Sequence, residues 1–218
     1  MSGYMSGQEA ERLRLERRAA LDRENRGRLR NTDFSLLASN CNGAFLLHDL
    51  GLRFRSPTVN LWLEPKDYLE LLTHLEHYLT AELTFDPEEE ARRHYPVGLL
   101  DGRVKICFQH YRTREAAREK WVERAGRVDL DNLFILFTDR DGCTDEDLCR
   151  FDALPYPNKV VFTHRPRPEL KSAYYIKGFE EQGSVGLLFT FESPTSERKY
   201  YDQFPYVDWF NGDWPARP

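Results

Sequence analysis

Between residues 34 and 60 the sequence reads FSLLASNCNGAFLLHDLGLRFRSPTVN, an apolar run that breaks on small polar residues and restarts with a different period. Phe34, Leu36, Leu37 and Ala38 have the character of a buried strand, whereas Ser39, Asn40, Cys41, Asn42 and Gly43 are too small and polar to continue it. Phe45, Leu46, Asp49 and Leu50 then fall at offsets of three and four, and Gly51 stands where a helix stops. A strand, a small-residue loop and a helix start make the backbone with which α/β proteins hold polar or anionic ligands at a strand's carboxyl end. The feature points to a site before it points to a reaction.

The same alternation recurs downstream. Val59, Leu61 and Leu63 alternate as in a short strand, and Glu64-Pro65-Lys66-Asp67 opens a helix whose buried face is Tyr68, Leu71, Leu72, Leu75, Tyr78 and Leu79. Residues 85–97 run acidic, basic, then aromatic, and read as a loop with a short helical piece. Residues 104–108 read as a strand, and residues 114–124 as a helix that carries Trp121 behind a Thr113 N-cap. The run 133–138 is the clearest strand, Thr144-Asp145-Glu146-Asp147 has the form of a capping box for a helix through Phe151, and residues 159–163 are a further strand. Strands separated by helices predict a three-layer α/β fold, a mostly parallel sheet with helices on both faces. Residues 173–176 and 185–191 follow without an intervening helix, so a hairpin or edge is expected to make the sheet mixed.

At 218 residues and 40% hydrophobic, the chain supports one substantial core. The predicted division is a charged helical extension over residues 1–30 and a single α/β domain over 31–218. Between residues 8 and 30 there are eight arginines and five acids, a net of +3, which leaves −8 for the rest of a chain whose total is −5. Strong helix formers predict a charged helix over 8–25, solvated or loosely docked. Its basic surface also suits peripheral contact with anionic lipid head groups. The acidic remainder argues against nucleic acid as a partner. Cys41, Cys107, Cys143 and Cys149 form no CxxC pair, which disfavours structural zinc. With no signal peptide and no apolar run near the roughly 20 residues of a membrane span, a cytoplasmic location with reduced thiols is expected.

Several separated stretches then combine into a resemblance. SNCNGA at 39–44, SPTVNL at 56–61, KDYLELL at 66–72, FQHY at 108–111, KWVERAGRVDLDNLFI at 120–135 and LPYPNKVVFT at 154–163 resemble the bacterial domain-of-unknown-function family nineteen-nineteen. The resemblance implies an α/β fold and a context of exopolysaccharide or capsule biosynthesis. Where an aromatic and a second glycine would follow the cysteine, this chain has Asn42 and Ala44.

Four constellations carry the candidate chemistry. The loop Ser39, Asn40, Cys41, Asn42, Gly43 offers side-chain amides and helix-start N–H groups to a ligand, and Cys41 is a candidate nucleophile. His110 and Tyr111 follow a strand, where a histidine serves as general base and a tyrosine contacts substrate. Arg124 and Arg127, with Asn132, are placed to hold a diphosphate, or else to pair with Asp129 and Asp131. Asp139 and Asp141 end the 133–138 strand in an Asp-x-Asp that suits a divalent cation such as Mg or Mn. Joined to the resemblance, these give a glycosyltransferase that moves an activated nucleotide sugar to a glycan acceptor. The alternatives are an acyl transferase or hydrolase working through Cys41, and a non-catalytic scaffold of a polysaccharide-assembly complex.

Overall fold

A computed structural model of the chain describes residues 7–214. In chain order the first elements are α1 (Gly7–Arg28), β1 (Ser35–Ala38), α2 (Asn42–Asp49), α3 (Pro65–Thr73), α4 (Leu75–Thr80), β2 (Leu83–Phe85), α5 (Pro87–Arg93), β3 (Val97–Leu100) and β4 (Val104–Cys107). The remainder are α6 (Arg114–Ala125), β5 (Leu133–Thr138), α7 (Asp145–Ala153), β6 (Lys159–Thr163), β7 (Ala173–Tyr175) and α8 (Tyr206–Phe210). The main sheet has the order β1-β5-β6-β7 and is parallel throughout, with Leu36 opposite Phe134 and Val161 opposite Ala173.

All six residues of β5 are buried, as a strand covered on both faces requires. Leu133, Ile135 and Phe137 join one apolar cluster with Tyr68 of α3, Trp121 of α6 and Phe151 of α7. Phe134 and Leu136 join the other, with Leu46 and Leu47 of α2 and Trp209 and Phe210 of α8. This is the three-layer arrangement the apolar runs predict.

The antiparallel pairing lies elsewhere than expected. β2, β3 and β4 form their own three-stranded sheet, so β4 is not a strand of the main sheet. Strands of three and four residues are too short to show alternation, which is why 85–97 reads as a loop. The α5 between them is capped by Asp86 and ends at His94, whose φ is 62°. Residues 59–63 are not a strand either: Val59, Leu61 and Leu63 are buried, but the chain turns at Asn60 with φ 62°, and a single antiparallel bridge joins Trp62 to Cys107. The helix expected to run from 65 to 79 breaks at His74, with φ −128° and ψ 44°, into α3 and α4. Residues 185–190 are irregular rather than a strand, and Phe191 makes only an isolated antiparallel bridge with Lys199.

Helix α1 runs beyond the expected 8–25 and is not loosely docked. Its Arg18 is buried, pairing with Asp22 at 2.7 Å, with Asp49 at 2.9 Å and with Asp202. Asn25 donates to Tyr206 Oη at 2.8 Å, and Arg28 meets Asp208. The low apolar content of α1 does not leave it solvated, because the helix docks through buried polar groups.

Candidate functional site

Two short backbone contacts bring distant parts of the chain to the carboxyl end of β1. Leu63 N donates to Ser39 O at 3.0 Å, and Trp62 exchanges hydrogen bonds with Cys107 at the end of β4. The 61–63 segment thus carries β4 to the loop that follows β1. As a result Cys41 Sγ lies 3.6 Å from His110 Nε2 across 69 positions of sequence.

The loop itself is built for close packing. Asn40 Nδ2 donates to Thr138 Oγ1 at 2.9 Å and Asn40 Oδ1 accepts from Asn42 N at 3.2 Å, so this amide ties the end of β1 to the end of β5. A Cβ on Gly43 would lie 2.5 Å from Ala38 Cβ, which explains the glycine without any ligand. Ser39 is buried.

A pocket of about 290 Å³ opens here, lined by Asn40, Cys41, Asn42, Trp62, Arg93, Gln109, Arg140, Asp141, Leu187 and Phe189. Its wall at 185–189 is strapped across the sheet edge. Val185 N donates to Asp139 Oδ1 at 2.8 Å, Arg140 Nη1 to Gly186 O at 3.1 Å and Leu188 N to Asn42 Oδ1 at 3.2 Å. Phe189 stacks on Phe45 with centroids 3.9 Å apart. Arg93 lies 5.0 Å over the Trp62 ring and pairs with Glu89 at 3.0 Å and Glu64 at 3.5 Å.

Burial pushes the Cys41 thiol up, and the charge of Arg140 opposes that only in part. Desolvation disfavours the thiolate. Cys41 is therefore a protonated thiol at rest, with an imidazole beside it.

The remaining candidates part company. His110 is exposed next to Gln109, and Tyr111 packs edge-on against Phe108 with centroids 5.6 Å apart, in contact with the core. Arg124 and Arg127 are not a diphosphate clamp: Arg124 donates to Val59 O at 3.2 Å and covers the Phe54 ring, while Arg127 donates to Phe54 O at 3.3 Å and pairs with Glu123. They fasten α6 to the 54–59 segment. Asn132 exchanges amide hydrogen bonds with Asn31 at 3.0 Å, and its carbonyl accepts from Ser35 N, which puts it at the amino end of the sheet, opposite the pocket.

Asp139 and Asp141 are not presented as a pair. Asp139 is buried, and its oxygens accept from His164 N at 2.8 Å, His164 Nδ1 at 2.6 Å and Val185 N at 2.8 Å. Asp141 is exposed on a turn where it and Gly142 take φ of 61° and 82°. Among the described residues no group of three or more His, Cys, Asp or Glu is gathered to hold a metal ion.

Trp62, Arg93, Gln109, Arg140, Leu187 and Phe189 escaped the sequence reading. Gln109 and Arg140 are sequence neighbours of His110 and of Asp139 and Asp141, so their signal is adjacency to those residues. Trp62, Arg93 and Phe189 come from turns and helix ends that carry no motif.

Residues 13–211 match the family model of a domain of unknown function (DUF1919). The chain belongs to that family. The match takes in α1 from Leu13 onward and every residue that lines the pocket. An uncharacterized protein of Haemophilus influenzae strain Rd is 52% identical over 184 residues, which cover 84% of this chain and 87% of that relative. Among the described residues no helix is long and apolar enough to cross a membrane.

Proposed function

We propose that the protein is a transferase of bacterial glycan assembly that takes an activated sugar in the pocket at the carboxyl edge of the main sheet, with His110 as the base toward an acceptor hydroxyl. The lining carries this reading. Two aromatic rings, Trp62 and Phe189, stand with the amides of Asn42 and Gln109 and the guanidinium of Arg140 in one recess beside His110. Sugar rings offer C–H faces to aromatics and hydroxyls to amides, and this lining can meet both.

A thermal-shift screen of nucleotide sugars, nucleoside diphosphates and acyl carriers, with and without a divalent cation, tests the proposal. A ligand at 100 times its Kd adds about 2.7 kcal/mol to native stability. A nucleotide sugar should raise the melting temperature of the wild type and leave Trp62→Ala unshifted. Stabilisation by acyl carriers alone, or by no sugar nucleotide, refutes it.

The contact of 3.6 Å between Cys41 Sγ and His110 Nε2 favours a second reading, an acyl transferase or hydrolase acting on a glycan through the thiol. Because burial keeps the thiol protonated, His110 would have to take its proton during attack. Cys41→Ala separates the two: turnover survives if His110 acts on the acceptor and disappears if sulfur is the nucleophile. His110→Gln should lower turnover by about 10²–10⁴ in either case.

A further inference from the structure

We infer that Arg140, the side-chain amide of Asn42 and the amino end of α2 form an anion subsite in this pocket that takes a phosphate or diphosphate group. The inference rests on the reading of the pocket as a substrate site and names the charged part of what enters it.

Three separate features point the same way. Arg140 is half-buried and gives one N–H to Gly186 O, yet it forms no ion pair among the described residues. The pocket's other guanidinium, Arg93, is already neutralised by Glu89 and Glu64. A half-buried guanidinium without a carboxylate is suited to a ligand anion, and its planar fork fits phosphate oxygens.

Asn42 is 2% exposed and lines the pocket. Its Oδ1 accepts from Leu188 N, which decides which end of the amide is oxygen. The Nδ2 is then a buried donor that has no partner among the described residues. Native structures rarely leave such a group unmade, and a ligand oxygen would satisfy it. Third, Asn40 Oδ1 takes Asn42 N, but the N-cap residue Cys41 adds no side-chain cap at the start of α2, where Cys41 and Asn42 line the pocket, and the amino end of a helix attracts negative charge. Asp141, the one acid in the lining, is exposed on its turn, so water screens its repulsion.

Calorimetric titration of the full chain with inorganic phosphate and inorganic pyrophosphate tests the subsite. Pyrophosphate should bind the wild type, and Arg140→Gln should weaken it about 10–100-fold, the worth of charge-assisted hydrogen bonds. Asn42→Asp keeps the acceptor for Leu188 N while placing a negative charge where the anion would sit, and should abolish binding. Should Asn42→Asp fail to fold, Arg140→Gln decides alone. Arms with uridine diphosphate and geranyl diphosphate identify the carrier, and either one binding more tightly than pyrophosphate supports the site. No pyrophosphate binding by the wild type, or equal binding by Arg140→Gln, overturns the inference. Saturation-transfer NMR with neutral methyl glycosides keeps the two claims apart. Glycoside contact without pyrophosphate binding sinks the subsite alone, and pyrophosphate binding without glycoside contact sinks the sugar reading alone.

Discussion

Replacing Gly43 by Ala tests the link between the packing of the loop and the stability of the sheet edge. The added Cβ would lie 2.5 Å from Ala38 Cβ and 3.4 Å from Leu36 Cδ2, where ordinary contacts between carbons begin near 3.4 Å. The first of these atoms is fixed to the backbone of β1, so it cannot rotate away, and helix and strand must separate by close to 1 Å. Overpacking of this kind costs about 1–3 kcal/mol. Alanine returns up to about 1 kcal/mol in a helix through its lower unfolded-state entropy. With the full return the net runs from about zero to a loss of about 2 kcal/mol, or up to about 8 °C in melting temperature for a chain of this size, so the comparison with a control glycine carries the test. Gly27 in α1 is the control, because its Cβ would meet nothing within 4 Å. Gly27→Ala should hold or raise the melting temperature by the propensity term alone. Calorimetry on both variants gives the comparison, and a Gly43→Ala protein as stable as Gly27→Ala would show that the close approach does not constrain the loop.

Two further predictions concern the cluster that joins α1 to the C-terminal segment. Arg18→Leu leaves Asp22, Asp49 and Asp202 without their shared cation and should cost about 3–5 kcal/mol in urea unfolding, whereas Arg12→Ala, which removes an exposed pair with Glu16, should change stability by less than about 0.5 kcal/mol. Equal effects would mean that the buried cluster does not hold the helix. Burial alone would raise the Asp49 carboxyl, but hydrogen bonds from Lys199 and Tyr201 outweigh it and hold Asp49 below its ordinary value. A depressed carboxylate contributes stability in full above its unfolded pKa, about 3.9, and loses it as pH falls through the folded value. The stability gap between wild type and Asp49→Asn should therefore shrink between pH 6 and pH 3, and an unchanged gap at pH 3 contradicts the assignment.

The candidate pocket was legible in part, where side-chain type and local backbone coincide. Asn40, Cys41 and Asn42 could be chosen because a strand that stops on small polar residues before a helix has few uses, and His110 because it follows a strand. The partners that complete the pocket were not legible. Arg93 ends a helix between two strands too short to recognise, and Phe189 lies on a segment whose apolar residues suggested a strand. Arg124 and Arg127 show the converse error: two arginines near a helix end have the composition of an anion clamp, and only their distances to Val59 O and Phe54 O reveal that they bind backbone.

The sequence by itself determined the layered α/β class, the run 133–138 as the central strand and the capping box at Thr144, because each depends on contacts within a few residues or on burial of a whole segment. Tertiary structure alone decided that β4 leaves the main sheet for a sheet of its own, that Trp62 and Leu63 join β4 to the loop after β1, and that Cys41 therefore meets His110. Those outcomes depend on pairing between strands far apart in the chain, where each residue contributes one or two hydrogen bonds and no periodicity. The same holds for α1: its charges suggested solvent, and the carboxylates that bury Arg18 lie up to 184 positions away.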